Sequence, residues 1–317
     1  MKRTPIIAGN WKMNVDVAEA SLLSEAIVRG VTKLPSAPHC EIILAPTYLC
    51  LLPVREQLIK LGVTLESLQS TPHTPPSLDK DANTDANREP MHKDATADNT
   101  KPMPTNVQNN TSQNNPARLT TYPKYYVSAQ DVHWETNGAY TGKISVSMLK
   151  HLNITHSLVG HSEQRAHFHE SNTTVHKKVE KLLALGLTPI LCIGETLTER
   201  KSGNLKAVLQ KQLNSVFTTI DLEVLQKVVV AYEPVWAIGT GVSATAADAE
   251  TTHALVRELI AKATTAALAE CIRILYGGSV KAENARAFLK APNIDGVLVG
   301  GASLKADSFV SIINCLS

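Results

Sequence analysis

Short apolar runs alternate with amphipathic stretches along most of this chain, and the alternation restricts the fold more than any other feature of the sequence. Strands that alternate with helices are typical of a parallel sheet covered by helices. Eight such units with no strand left over favour a closed (β/α)8 barrel over an open, doubly wound sheet. The predicted strands are residues 6–10, 41–45, 125–130, 157–160, 189–193, 228–233, 273–276 and 296–299, and the predicted helices include residues 15–31, 48–61, 175–185, 205–217, 246–269, 282–289 and 304–313.

Residues 66–121 interrupt this alternation with a segment rich in Thr, Asn, Pro and Asp. Eight prolines between Pro72 and Pro123 argue against a long helix or a central strand there. The segment has too little apolar surface to offset its ordering entropy, so we expect a disordered insertion in a single barrel domain spanning residues 1–317. A tolerated linker is the favoured interpretation, and an interaction arm is the alternative.

The charge balance and the cysteines restrict the partners and the compartment. With 31 basic and 29 acidic residues the net charge is +2, which favours neither nucleic acid nor an anionic membrane as a partner. The five cysteines are widely spaced and form no CxxC pair, so reduced thiols in a cytoplasmic protein are expected. The N-terminus has no apolar signal region, and no run of residues is long and apolar enough to predict a membrane span.

An acid at the end of a buried strand is the first sign of chemistry. Glu233 follows the β-branched run 228–230 and precedes Pro234, and the carboxyl ends of parallel strands are where α/β proteins carry their active sites. The stiff apolar residues that follow, up to Gly239 and Gly241, suit a lid that moves as one piece about two hinges. An ordinary βα loop with a surface acid is the alternative.

Five motifs in this order resemble those of the triosephosphate isomerase family: residues 9–14 (Gly-Asn-Trp-Lys-Met-Asn), 160–163 (Gly-His-Ser-Glu), 231–241, 276–280 and 299–304. The resemblance covers the chain apart from the insertion. It implies a TIM barrel, a cofactor-free and metal-free homodimer, and the interconversion of dihydroxyacetone phosphate and glyceraldehyde 3-phosphate in glycolysis and gluconeogenesis.

The resemblance also implies roles for five residues. Glu233 would be the base that moves a proton between neighbouring carbons, and His161 a neutral donor to the enediolate oxygens. Lys12 would supply a positive charge for the phosphate and the developing oxyanion, and Asn10 a donor to a substrate oxygen. Glu163 would orient Lys12 or relay protons, with a favourable charge at a helix N-terminus as the alternative. Without the motif, His161 would be read as a core histidine.

Glycine-rich loops after the last two strands predict the phosphate site. Ser279 follows two glycines, and Gly300 and Gly301 follow the eighth strand, so backbone N–H groups can approach an anion closely. TIM barrels commonly bind phosphate with these two loops. Gly239 would add another N–H group when the lid closes.

Two positions at the predicted dimer interface depart from the family pattern. The segment 137–145 is similar to the family's dimer-interface loop but carries Lys143 where an acid is usual, and Gln164 replaces the first of two arginines. The resemblance implies that the usual acid and arginine pair across the interface. The two changes would then remove both ends of one ion pair, which is far less damaging than stranding one buried charge. We therefore expect a retained homodimer with altered interface polarity. His169 replaces a small residue for a reason that the sequence does not explain.

Other interpretations remain open at this point. A catalytically silent phosphosugar-binding barrel would have no use for Glu233, and an aldolase would need a Schiff-base lysine at an inner strand end. The pair His167 and His169 would chelate a metal only in an extended segment, whereas a helix is expected there. Cys192 is read as a packing residue rather than as a nucleophile.

Overall fold

The computed structural model describes residues 3–65, 122–238 and 244–316. These residues form a closed barrel of eight parallel strands in sequence order, which confirms the predicted (β/α)8 TIM-barrel fold. The insertion predicted for residues 66–121 lies outside the described residues, as does Gly239. The single domain with an insertion therefore stays a prediction.

The strands agree with the predicted ones to within one residue at either end. Most of their residues are apolar because both faces of each strand are covered. They are β1 (Ile6–Asn10), β2 (Glu41–Ala45), β3 (Lys124–Ala129), β4 (His156–Val159), β5 (Thr188–Ile193), β6 (Val229–Tyr232), β7 (Arg273–Tyr276) and β8 (Gly296–Val299).

The helices follow the strands in the expected alternation. In the described ranges the α-helices are α1 (Val17–Thr32), α2 (Leu51–Lys60), α3 (Val146–His151), α4 (Ser162–His167), α5 (Asn172–Ala184), α6 (Leu197–Lys201), α7 (Leu205–Phe217), α8 (Leu222–Leu225), α9 (Ala246–Ala263), α10 (Ala266–Cys271), α11 (Ala282–Leu289) and α12 (Ala306–Ile313). Short 3-10 helices cover Tyr48–Cys50, Val235–Ala237, Gly301–Leu304 and Asn314–Leu316. Among the described helices, none has both the length and the apolar character that a membrane span requires.

Several helix predictions need correction. The single helix predicted for residues 246–269 is two helices, because the backbone leaves helical geometry at Thr264 and the side chain of Thr265 caps α10 by accepting the Leu268 N–H. The segment 304–313 begins with the end of a 3-10 helix, and α12 starts at Ala306. The short helices α3, α6 and α8 are too brief to show a helical period and were not predicted.

Alternate strand residues build two separate cores. Ile6 and Ala8 of β1 point into the barrel, where they pack in one cluster with side chains such as Leu275. Ile7 points outward into the larger cluster between strands and helices. The inner cluster closes the barrel interior with side chains, so the polar residues that follow the strands are left to converge on the carboxyl-end rim.

Candidate active site

Most of the predicted site residues line one cavity of about 480 Å³ at this rim. The cavity is formed by residues that follow β1, β4, β6, β7 and β8, because the carboxyl ends of all eight strands open on the same side. Of the predicted residues it is lined by Asn10, Lys12, His161, Glu233, Ser279, Gly300 and Gly301. Glu163 does not line the cavity but contacts Lys12.

Glu233 is a buried carboxylate with two donors. Its side chain is 2% exposed. Its Oε2 accepts the Ser162 N–H at 2.9 Å, and its Oε1 lies 3.1 Å from His161 Nε2. A buried carboxylate is costly unless it is hydrogen-bonded, and these donors meet that requirement. The acid is thus held ready at the end of β6 without a cation in direct contact.

His161 caps the helix that follows it. Its Nδ1 accepts the Glu163 N–H at 3.2 Å, so this nitrogen carries no proton. The remaining proton of the ring is then on Nε2, which faces Glu233 Oε1. Ser162 is the first residue of α4, and the imidazole of His161 satisfies the free backbone N–H of Glu163.

Lys12 is held in place at both its backbone and its ammonium group. Its φ of 51° lies in the left-handed region, which costs energy for a residue with a side chain. Its N–H donates to Asn10 Oδ1 at 3.0 Å, and Gln130 Nε2 donates to its carbonyl at 2.8 Å. Its Nζ lies 2.6 Å from Glu163 Oε1. Partial burial alone would raise the pKa of the Glu163 carboxyl, but the hydrogen bond from Lys12 and the neighbouring positive charge lower the pKa below its ordinary value.

The glycines after β7 are required by packing. A Cβ at Gly277 would lie 2.9 Å from Glu233 Cγ, and one at Gly278 would lie 2.2 Å from the hydroxyl oxygen of Tyr276. A side chain at either position would displace the acid or the tyrosine. By contrast, a Cβ at Gly301 meets nothing within 4 Å, which leaves open space beside its backbone for a ligand.

A network around Glu195 was missed by the sequence analysis. The Glu195 carboxylate is fully buried and lies two residues after the end of β5. It accepts from Tyr232 Oη, from Trp236 Nε1 at 2.9 Å and from Arg200 Nη1 at 3.1 Å. Glu195 could have been predicted from the sequence by the criterion that identified Glu233, namely an acidic residue soon after a buried strand. The network holds the first turn after Pro234, whereas residues 239–243 of the predicted lid lie outside the described part of the chain.

Two further interpretations can be compared with the structure. Cys192 lies in the inner barrel cluster with no exposed surface, and burial raises the pKa of its thiol, as suits a packing residue. The helix expected around His169 is shorter than predicted: α4 ends at His167, and His169 has a φ of 55°. No group of three potential metal ligands occurs among the described residues.

Comparisons with known proteins identify the family of the chain. The family model for Triosephosphate isomerase matches residues 5–73 and 87–316. The triosephosphate isomerase of Geobacter metallireducens is 36% identical over 312 residues, which are 98% of this chain and 98% of that protein. That of Alkaliphilus oremlandii is 48% identical over 188 residues, or 59% of this chain and 76% of that protein. The chain belongs to the triosephosphate isomerase family.

Membership of the triosephosphate isomerase family makes the chain an isomerase and confirms the predicted enzyme class. The residues that the family model leaves unmatched, 74–86, fall within the predicted insertion.

The two departures from the family pattern lie on the outside of the barrel. Lys143 is exposed at the end of the loop after β3 and makes no ion pair within the described ranges. Gln164 lies in α4, where its carbonyl accepts the N–H groups of Phe168 and Glu170. His169 is exposed and adopts the left-handed backbone described above, and nothing in the structure explains why a histidine occupies this position.

Proposed function

We propose that this chain interconverts dihydroxyacetone phosphate and D-glyceraldehyde 3-phosphate through an enediolate. The observation that carries the proposal is the pairing of Glu233 with His161 Nε2 at 3.1 Å on the wall of a cavity that also contains Lys12. A base, a neutral donor and a fixed cation in one cavity are what a proton shift next to a carbonyl requires.

Glu233 is the proposed base. It would take a proton from the carbon beside the carbonyl and return it to the neighbouring carbon. Because its carboxylate is held by hydrogen bonds from Ser162 and His161 rather than by a cation, substrate can replace these contacts without breaking an ion pair. A single flexible carboxylate is sufficient for both transfers.

His161, Lys12 and Asn10 are the proposed stabilisers of the enediolate. With Nδ1 engaged as an acceptor, His161 can donate its Nε2 proton to either substrate oxygen as negative charge develops there. Lys12 adds a positive charge, and Glu163 positions its ammonium group. Asn10 is 5% exposed and lines the same cavity, from which it would donate to a substrate oxygen.

The phosphate group is proposed to lie against the loops after β7 and β8. Ser279, Gly300 and Gly301 line the cavity there, and the 3-10 helix Gly301–Leu304 begins at this point. Backbone N–H groups at such a turn favour an anion without bulky side chains. Gly239 would contribute from the lid, which is the role its sequence position suggests.

The Glu233→Asp variant tests the proposal in a coupled isomerase assay. Withdrawing the carboxylate by one methylene should lower kcat by about a hundredfold and change KM much less, because the loss falls on the transition state. Glu56→Asp, the same substitution at an exposed residue of α2, should leave both kcat and KM at their wild-type values. Binding of a triose phosphate without turnover by the wild-type chain would instead favour a silent phosphosugar-binding barrel.

We also propose a cytoplasmic homodimer that acts in glycolysis and gluconeogenesis. Large apolar side chains are exposed on the loops after the first four strands: Met13 by 92%, Leu49 by 81%, Tyr140 by 43% and Phe168 by 69%. Exposed apolar groups gathered on neighbouring loops are typical of a protein interface. A monomeric mass by analytical ultracentrifugation at micromolar concentration would overturn the dimer.

A further inference from the structure

A partly buried cation beside the active site has no role in the reaction as described so far. Arg165 of α4 donates from Nε to the Gly160 carbonyl at 2.8 Å, from Nη1 to Asn172 Oδ1 at 2.8 Å and from Nη2 to the Cys192 carbonyl at 3.4 Å. All three acceptors are uncharged, and within the described ranges no carboxylate lies at ion-pair distance from this guanidinium. Because arginine does not lose its proton in proteins, its charge has to be balanced from further away.

Glu233 is the carboxylate that this charge faces. Arg165, Ser162 and Glu233 line a second cavity of about 260 Å³, and Glu233 also lines the 480 Å³ cavity proposed for the substrate. Partial burial lowers the pKa of the Arg165 guanidinium, and the negative charges of Glu170 and Glu233 act in the opposite direction. Glu170 is already paired with Lys178, whereas the two donors on Glu233 are neutral.

The other ionisable groups around Glu233 supply no unpaired positive charge. Those that face it are His161 after β4, Cys192 of β5 and, across the substrate cavity, Lys12 with its partner Glu163, whereas the chain after β7 presents only Gly277. His161 is neutral because its Nδ1 accepts a hydrogen bond. Burial and the charge of Glu233 raise the pKa of the Cys192 thiol, so the thiol keeps its proton. Arg165 is therefore the cation left to balance Glu233 in the described part of the chain.

We propose that Arg165 is a positioning residue whose positive charge keeps the buried Glu233 carboxylate ionised without an ion pair between them. The inference rests on the proposed function, in which Glu233 is the base. A carboxylate that loses its water on burial takes up a proton unless a nearby positive charge compensates for the loss. A cation in direct contact would also compensate, but it would hold the carboxylate in one place. A cation that acts from a short distance leaves the base free to move between two carbons.

The first experiment compares Arg165 variants of the full-length protein by the pH dependence of kcat/KM. Arg165→Gln removes the charge, so Glu233 becomes harder to ionise and the acidic limb of the profile should move to higher pH by about one unit. Arg165→Lys keeps the charge and should leave the acidic limb in place, even where lost hydrogen bonds lower stability. Ionisation of the substrate phosphate is common to all variants and cancels in the comparison. Arg286→Gln, at an exposed arginine of α11, is the matched control.

Chemical rescue separates the charge of Arg165 from its packing. Arg165 lines both the 260 Å³ cavity and a neighbouring cavity of about 440 Å³, which is also lined by the exposed Asn204 and Lys211. A small solute can therefore enter the space that Arg165→Ala opens. Guanidinium chloride, at concentrations well below those that unfold the protein, should return the acidic limb of this variant towards its wild-type position. Urea, a neutral molecule of nearly the same shape, and sodium chloride at equal ionic strength should not.

A purely structural role predicts that Arg165→Gln and Arg165→Lys lose stability alike and leave the acidic limb where it is in the wild type. That result would overturn the inference, as would an equal shift in both variants or rescue by urea. A second measurement does not depend on turnover. Protonation of Glu233 is followed by ¹³C NMR of carboxyl-labelled glutamate, with Glu233→Gln assigning the resonance. The titration midpoint should again be higher in Arg165→Gln than in the wild type or Arg165→Lys, even in a chain that does not convert triose phosphates.

Discussion

Trp236 donates its indole N–H to Glu195 Oε1 at 2.9 Å, which joins the first turn of the segment after β6 to the carboxylate that follows β5. The guanidinium of Arg200 lies over the same indole, 4.9 Å from the ring centroid, and also donates to Glu195. One buried acid thus positions the beginning of the proposed lid from the neighbouring strand.

The Glu195→Ala variant should be markedly destabilised. Removing the carboxylate takes a buried acceptor away from the hydroxyl of Tyr232, the indole N–H of Trp236 and the Arg200 cation, of which Tyr232 is fully buried. A loss of about 3 kcal/mol in the free energy of unfolding is expected from urea denaturation. Trp236→Phe removes a single donor and should cost about 1 kcal/mol. Equal losses in the two variants would contradict the central role of the acid.

Shortening the proposed lid should change the products of the reaction. If residues 235–238 are replaced by a short glycine linker, an enediolate phosphate remains open to water and can eliminate its phosphate group. The share of inorganic phosphate and methylglyoxal per turnover should rise several-fold in a phosphate-release assay. A glycine linker of the same length in the loop after α6, at residues 202–204, serves as control. Unchanged partitioning would count against the lid.

Two buried histidines should make the fold sensitive to acid. Burial, with a smaller contribution from the nearby charges of Arg273 and Arg257, lowers the pKa of both His156 and His253 to about 3. Between about pH 6.5, the ordinary pKa of histidine, and about pH 3, the pKa of these two side chains in the folded chain, the unfolded chain binds protons that the folded chain does not. Stability therefore falls as pH falls through this window, by up to about 1.4 kcal/mol per pH unit for each histidine.

The slope of unfolding free energy against pH measures this effect. His156→Gln and His253→Gln should each reduce the slope between pH 6.5 and pH 5 by close to one bound proton, whatever their effect on absolute stability. His169→Gln, a matched change at an exposed histidine, is the control variant. A wild-type slope in both buried-site variants would show that these imidazoles are charged in the folded chain.

The interface departures can be tested by restoring the family's charges. Lys143→Glu and Gln164→Arg should each weaken the proposed dimer when made alone, because each leaves in the interface a charge whose usual partner is missing. The double variant should regain the dimer affinity that the single variants lose. The four dimer dissociation constants should then give a coupling energy of about 1–2 kcal/mol between the two positions. If the two single changes in dimerisation free energy simply add in the double variant, the two residues do not contact each other across the interface.

The strands and most site residues were predictable from the sequence for a simple physical reason. A strand buried on both faces must be apolar along its whole length, so β1, β2, β7 and β8 match their predicted bounds. A polar group directly after such a strand must serve a purpose there. That reasoning placed Asn10, His161 and Glu233 on one rim before their distances were known.

Contacts between distant parts of the chain were decided only by the tertiary structure. The cap formed by His161, the three donors gathered on Glu195 and the break at Thr264 depend on where neighbouring elements place each hydrogen-bonding group. Hydrophobic periodicity predicts which face of a helix or strand is buried, but it does not predict which polar atoms form hydrogen bonds with one another. The sequence by itself therefore determined the barrel and the residues of its rim, whereas the folded chain alone determined which of these residues hold one another in place.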